Sequence, residues 1–226
     1  MVNDITATTF FVIPLYNEAS VIGDVVESIR AKFPNVVCVD DGSSDGSAFK
    51  AAEAGAHIVQ HPINLGQGAA LQTGIDYAFQ FPETEYAVMF DADGQHRLED
   101  AIALVERLAV GDVDIVVGSR FLDGRTKPGL TKRIVLKLAV AFQRMATGVR
   151  LTDAHNGLRA ITRDTASKLR ITQNRMAHAS QIVSEVGRLK LRYDELPVHI
   201  IYTDYSRSKG QSLWNSVNIL SDLILK

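Results

Sequence analysis

Four apolar runs in the first half of this chain each stop at a cluster of polar side chains, and few architectures accommodate that repeat. Phe10–Pro14 leads into Tyr16-Asn17-Glu18, and Val36–Asp40 into Asp41-Gly42-Ser43-Ser44-Asp45. Tyr86–Phe90 leads into Asp91-Ala92-Asp93, and Asp114–Val117 into Ser119-Arg120. Amphipathic stretches separate the runs: Ser20–Lys32, Asp45–Ala54, Gly68–Phe81 and Leu98–Ala109, with a further short strand at His57–Gln60. Alternating strand and helix signals predict an α/β fold, a mainly parallel central sheet flanked by helices, in a single domain over residues 1–226. Ligands of such sheets bind beyond the carboxyl ends of the strands. Polar residues delivered there by successive strands therefore predict a site.

The net charge of −2 conceals a division. Residues 1–119 carry 5 Lys+Arg against 18 Asp+Glu, a balance of −13, while residues 120–226 carry 19 against 8, a balance of +11. The two halves are expected to face different partners, the acidic half a divalent cation and the basic half phosphates or an anionic membrane surface. Cys38 is the only cysteine and lies in Val36-Val37-Cys38-Val39, which predicts a buried, inert thiol and no disulfide framework within the chain. No apolar run approaches the ~18 residues of a spanning helix. No secretory leader pattern opens the chain, so cytoplasmic residence is the expectation.

In the second half, Gly118–Gly129 reads as a polar loop, followed by a helix over Thr131–Thr147 with Arg133, Lys137 and Arg144 on one side. A strand is predicted at Leu158–Ile161, a helix at His178–Leu189 and a strand at Leu196–Tyr202. A closing helix, Leu213–Leu225, is expected to pack on the domain or on a partner subunit.

Asp91 and Asp93, at i and i+2 of an extended chain, project to the same side. Two such carboxylates suit Mg²⁺ or Mn²⁺, completed by water and diphosphate oxygens, with Gln95 or His96 near enough to add a ligand. A calcium loop fails, because its glycine position holds His96 and its bidentate acid position Ile102. Asp41 could accept from an amide N–H of a base, while Ser43, Ser44 and Asp45 could cap the next helix. Asn64-Leu65-Gly66-Gln67-Gly68 lacks the third glycine of a dinucleotide fingerprint. It reads instead as a small-residue helix start that lets backbone approach a substrate. Arg207-Ser208-Lys209-Gly210 is a basic loop suited to closing over a leaving diphosphate.

Together these segments resemble family 2 glycosyltransferases with the GT-A fold, especially the polyprenyl-phosphate hexose synthases. The resemblance runs in order through Ile13-Pro14-Leu15-Tyr16-Asn17-Glu18, Val39–Asp45, Asn64–Ala70, Asp91–His96, Gly118-Ser119-Arg120-Phe121, Asn156-Gly157-Leu158-Arg159 and Arg207–Ser212. It implies a nucleotide pocket of Pro14, Tyr16, Glu18, Asp41 and Asp91, and metal ligands Asp91, Asp93 and Gln95. It further implies that Arg207 contacts the diphosphate and that Arg120 and Arg133 receive the phosphate of a lipid acceptor. Residues 1–119 would then be the nucleotide-sugar half and 120–226 the acceptor half.

The implied activity is metal-dependent, inverting transfer of a hexose from a UDP- or GDP-linked donor to a polyprenyl phosphate at the cytoplasmic membrane face. The alternative is a sugar hydroxyl in cell-surface polysaccharide, such as a rhamnan or O-antigen. A hydroxyl acceptor needs a general base, for which Asp153 is the candidate; an ionised lipid phosphate does not. Leu213 departs from the lipid-phosphate pattern, where lysine is frequent after Ser212, and Gln67 stands where the family more commonly has lysine.

Overall fold

The computed structural model describes residues 5–122, 144–145, 147–174 and 177–201. Among the described residues seven strands form one sheet in the order β3-β2-β1-β4-β6-β5-β7. They are β1 (Thr9–Leu15), β2 (Asn35–Asp40), β3 (His57–Gln60), β4 (Tyr86–Met89), β5 (Ile115–Ser119), β6 (Arg159–Thr162) and β7 (Tyr193–Pro197). The helices among the described residues are α1 (Ile22–Arg30), α2 (Ser47–Glu53), α3 (Gln67–Ala78), α4 (Leu98–Ala109), α5 (Arg163–Lys168) and α6 (Ala177–Arg188).

Strand alternation divides the core in two. Phe10, Val12, Val37, Val39, Met89, Val117 and Ile161 face α3 and α6, which supply Ala70, Leu71, Ile75, Ile182, Val183 and Val186. Phe11, Ile13, Val36, Cys38, Val88, Val116 and Ala160 face α1 and α4, which supply Ile22, Val26, Ile29, Leu104, Val105 and Leu108. Strands buried on both faces read as continuous apolar runs, which is why β1, β2 and β4 are legible in the sequence. Cys38 is fully buried and burial pushes its thiol pKa up, as its apolar neighbours lead one to expect.

One strand breaks the parallel order. β6 pairs antiparallel with both β4 and β5, with Met89 and Val117 both opposite Arg159. Its reversed direction brings residues 153–158 to the carboxyl edge of β4 and β5, among the polar clusters. The strand expected at Leu196–Tyr202 lies earlier, at Tyr193–Pro197, parallel to β5. Val198 and Ile200 carry the apolar signal there, but their burial comes from packing beyond the strand's end. The true edge strand is polar and only half-buried, with Pro197 at its last position. The sequence does not predict the short helix α5, which Thr162 caps by accepting from the Thr165 N–H. The expected helix at Leu213–Leu225, and all of the Thr131–Thr147 helix except residues 144, 145 and 147, fall outside the described residues.

The glycine at the start of α3 lies against the chain itself. A Cβ on Gly68 would stand 2.0 Å from the Gln173 carbonyl oxygen and 3.1 Å from the His178 Cβ. A backbone obstacle cannot rotate away, so Gly68→Ala should lower stability by about 1–3 kcal/mol despite its better helix propensity. Thermal unfolding checks this, and an unchanged midpoint would show that residue 173 moves freely.

Candidate active site

The carboxyl ends of β1 and β2 are stitched together by side chains. Ser43 Oγ accepts from the Asn17 N–H at 3.0 Å, Ser47 Oγ from the Glu18 N–H at 2.8 Å, and Asp45 Oδ2 from the Ala19 N–H at 3.0 Å. In return the Ser44 N–H donates to Asn17 Oδ1 at 3.0 Å. Helix capping is the duty that the sequence predicts for Ser43, Ser44 and Asp45. Asp45 does accept from the Ser47 N–H, but the helix-cap position is Gly46 and the main yield is a fixed pair of loops.

Those loops present Tyr16, which is exposed, and the half-buried Pro14 and Glu18. Pro14 lies past Val12, the last β1 residue in register with β4, so its missing N–H costs no ladder bond on that side.

Asp41 does something other than expected. Its Oδ1 accepts from the Leu65 N–H at 2.8 Å and meets His61 Nδ1 at 2.8 Å, and its Oδ2 accepts from the Gly66 N–H at 2.7 Å. With its residue only 3% exposed, the carboxylate shapes the 61–66 loop instead of offering itself to a base. His61, which no sequence motif singles out, is anchored on its far side by Thr73 Oγ1 at 3.0 Å.

That loop delivers Gln67 to the acidic cluster, where its Nε2 donates to Asp91 Oδ1 at 3.2 Å. Asp91 Oδ2 meets His96 Nε2 at 2.9 Å. Burial works against ionised Asp91, but the His96 hydrogen bond and the pull of His96, His178 and Arg159 hold it below the usual carboxylate range. Asp93 goes the other way: burial and the Asp91 charge push it up, and Glu18 adds to the repulsion. The Gln95 N–H closes a tight turn onto Asp93 Oδ1 at 3.0 Å.

Two hard oxygen donors under mutual repulsion are the donor set that Mg²⁺ or Mn²⁺ relieves. Among the described residues no three His, Cys, Asp or Glu side chains converge on a metal-sized point. Asp91 and Asp93 would therefore hold such an ion with Gln95, water or diphosphate oxygens as the remaining ligands.

Gly157 packs directly behind this cluster. A Cβ there would lie 2.3 Å from Asp91 Oδ2, so any other residue would displace the carboxylate. Two residues on, β6 opens with a buried cation. Arg159 is 1% exposed, on the α3/α6 face, and its Nη2 donates to the Ala154 carbonyl at 2.9 Å. Burial brings its guanidinium pKa down to about 10 against the pull of Asp153 and Asp91. His155 beside it is pushed down to about 4 by burial and by the Arg159 charge, which leaves it neutral at physiological pH. The motif Asn156-Gly157-Leu158-Arg159 does not itself announce this burial. A signal exists nonetheless: in Leu158-Arg159-Ala160-Ile161, alternation puts Arg159 on the same face as the core residue Ile161.

At the end of β5, Arg120 and Asp153 form a two-pronged ion pair, Nε to Oδ2 at 2.5 Å and Nη2 to Oδ1 at 2.7 Å. The Arg120 N–H adds a third bond to Oδ2 at 3.1 Å. Burial opposes the charge on Asp153, but these bonds hold its pKa below the usual carboxylate range. Asp153, the expected general base, is thus a 1% exposed carboxylate engaged by a guanidinium, an arrangement that makes a weak proton acceptor. Glu195 of β7 fixes this loop from beneath, accepting from the Thr152 N–H at 2.8 Å and the Asp153 N–H at 3.1 Å.

Arg133 and Arg207 lie outside the described residues. The chain leading to Arg207 is tied to the acidic cluster, because the Ile201 N–H donates to the Gln95 carbonyl at 2.9 Å and Ile200 bridges His96.

The glycosyl transferase family 2 model matches residues 10–170. A UDP-N-acetylglucosamine–dolichyl-phosphate N-acetylglucosaminyltransferase of Methanococcus voltae is 28% identical, the match covering 96% of this chain and 94% of that protein. A polyprenol monophosphomannose synthase of Mycolicibacterium smegmatis is 31% identical, covering 95% and 83%. Glucosyl-3-phosphoglycerate synthase of Mycobacterium tuberculosis, solved with Mn²⁺, UDP and phosphoglyceric acid, superposes with a TM-score of 0.71 at 17% identity. That superposition covers 99% of this chain and 81% of that one, so the two share a fold. The chain is a glycosyltransferase of GT-A architecture and belongs to glycosyltransferase family 2.

Proposed function

We propose that this enzyme transfers a hexose, with inversion, from a nucleotide diphosphate sugar to a polyprenyl phosphate at the cytoplasmic membrane face. The donor occupies the strand-end loops of residues 1–119, with Tyr16, Pro14 and Glu18 lining the base pocket and Asp41 setting the 61–66 wall. Asp91 and Asp93 hold the divalent ion, which neutralises charge on the diphosphate. Residues 120–226 receive the acceptor, with Arg120 and Arg133 toward its phosphate.

The observation that carries the acceptor assignment is the state of Asp153. Attack by a hydroxyl needs a base, and the candidate carboxylate is sealed against Arg120. A phosphate acceptor is already ionised and needs only alignment behind the anomeric carbon. The Methanococcus and Mycolicibacterium relatives, a dolichyl-phosphate transferase and a polyprenol monophosphomannose synthase, support the same class. Incubation of purified enzyme with a panel of UDP- and GDP-sugars, against undecaprenyl phosphate and a purified rhamnan or O-antigen glycan, tests it. Transfer to the glycan alone would replace the lipid acceptor with the polysaccharide one.

Access to such an acceptor requires a membrane surface, and no described helix is long and apolar enough to cross one. The sequence of Thr131–Thr147 sets Arg133, Lys137 and Arg144 beside Leu138, Phe142 and Met145, and Met145 is 80% exposed. Cations held near anionic lipid contribute about 1 kcal/mol each. Wild-type enzyme should co-sediment with anionic vesicles at low salt. The Arg133→Gln, Lys137→Gln, Arg144→Gln triple variant should lose most of that binding. Equal sedimentation of both would leave the helix with no membrane role.

A further inference from the structure

We propose that Glu195 of β7 is a positioning residue for the acceptor. It holds the backbone on both sides of the Arg120–Asp153 pair, so that the Arg120 guanidinium stands where an acceptor anion can meet it. The proposal rests on the placement of the acceptor phosphate at Arg120, and adds the residue that sets that cation in place.

Among the described residues β7 closes one end of the strand order, and it pairs parallel with β5, Glu195 standing opposite Val117. It holds the 150–153 segment with side chains. Tyr193 Oη accepts from the Arg150 N–H at 2.9 Å. Two residues on, and so on the same face of the strand, Glu195 accepts from the Thr152 N–H with both oxygens at 2.8 Å. Its Oε1 also accepts from the Asp153 N–H at 3.1 Å. The carboxylate whose backbone is pinned in this way is the one that grips Arg120.

A second line of hydrogen bonds reaches Arg120 from its other side. The Thr152 hydroxyl donates to Glu195 Oε1 at 3.2 Å, which commits its single proton. The Ser119 hydroxyl, 2.6 Å away, must then donate to Thr152 Oγ1, and Ser119 Oγ in turn accepts from the Phe121 N–H at 3.2 Å. The order runs one way, from the Phe121 amide through two hydroxyls to the Glu195 carboxylate. Residues 119, 121, 152 and 153 are thereby all held by one side chain. Between them the Arg120 side chain is 16% exposed and that of Asp153 1%, so the guanidinium reaches the surface and the carboxylate that orients it does not. Misplacing a substrate-aligning group by about 1 Å can cost on the order of 10²-fold in rate, so a residue that touches no substrate can still govern how well one is received.

Amide hydrogen exchange tests the geometry without any ligand. The Arg120 N–H donates to Asp153 Oδ2 and the Phe121 N–H to Ser119 Oγ, so both report on the network. Glu195→Ala should raise exchange at both amides about tenfold. Glu195→Gln keeps an acceptor oxygen for the Thr152 and Asp153 amides and should stay near wild type. Kinetics tests the consequence, with undecaprenyl phosphate as acceptor and the donor selected from the UDP- and GDP-sugar panel. Glu195→Ala should raise the acceptor KM about tenfold and leave the donor KM within about twofold. Glu195→Gln should recover most of that loss.

Arg120→Ala completes a cycle. Because Glu195 acts through Arg120, Glu195→Ala should cost nothing further in an Arg120→Ala background. Additive losses in the double variant would overturn the proposal. So would an unchanged acceptor KM in Glu195→Ala while Arg120→Ala raises it. If Glu195→Ala does not fold, Thr152→Val takes its place, since it breaks only the hydroxyl line. It should raise Phe121 exchange and the acceptor KM about threefold, the worth of one hydrogen bond, and no change in either would overturn the proposal. An acceptor KM unmoved by Arg120→Ala, with the exchange response of Glu195→Ala intact, would overturn the acceptor placement itself and the proposal with it, which separates that failure from the others.

Discussion

Asp93→Ala should reduce turnover by about 10²–10³-fold, and chelation of divalent ions should do the same to the wild type. Asp91 and Asp93 sit at the end of β4, and Asp93 carries a raised pKa because it is buried beside a second carboxylate. A cation beside the pair would relieve that repulsion, and a leaving diphosphate needs the same positive charge. Asp91 is already engaged by Gln67 and His96. Asp93 has its Oδ1 on the Gln95 amide and its other oxygen available for the ion. Turnover should return with added Mn²⁺ or Mg²⁺ in chelated wild type and not in Asp93→Ala. Activity within a few-fold of normal in both cases would remove the metal from the mechanism.

Arg207→Ala should also cost about 10²–10³ in turnover, with much less change in donor affinity. Arg207 is six residues beyond Ile201, which is hydrogen-bonded to the Gln95 carbonyl. Six extended residues span at most about 22 Å, which is the farthest the arginine can lie from Ile201. Charge on the diphosphate grows as the glycosidic bond breaks, so a guanidinium placed there acts mainly on the transition state. Calorimetry with UDP or GDP, set beside steady-state turnover, separates the two effects. Much weakened nucleotide binding with normal turnover at saturation would make Arg207 a ground-state binder.

Both predictions concern residues that are legible in the sequence, for a physical reason. Asp91 and Asp93 follow a strand buried on both faces, whose apolar run marks its own end. The same holds for Tyr16, Glu18 and Asp41, each of which follows an apolar run that ends where its strand ends. Position is readable; partners are not. Asp41 shapes the 61–66 loop because Leu65 and Gly66 turn their amides toward it, and nothing near residue 41 announces that. Asp153 and Arg120, 33 residues apart, read as a separate base and anion receptor and prove to be one ion pair. Arg159 belongs to a motif that says nothing of its burial, which follows from strand alternation alone. The direction of β6 is hidden too, since alternation along Leu-Arg-Ala-Ile tells which side chains share a face and not which way the strand runs in the sheet.

That reversed strand has a consequence for how the chain is made. β5 borders only β6 and β7, both of which follow it in the sequence. A strand of Ile-Val-Val-Gly-Ser therefore leaves the ribosome with no neighbour to receive it, and about forty more residues are synthesised before β6 emerges. Until then β4 and β5 each present a bare apolar edge, the state most prone to mispairing. A translation pause after β5 has left the ribosome and before β6 has done so would lengthen that exposure. Cutting the gene at the charge boundary near residue 119 would leave the same edge uncovered for good, so the acidic half should aggregate rather than survive as a free nucleotide-binding module.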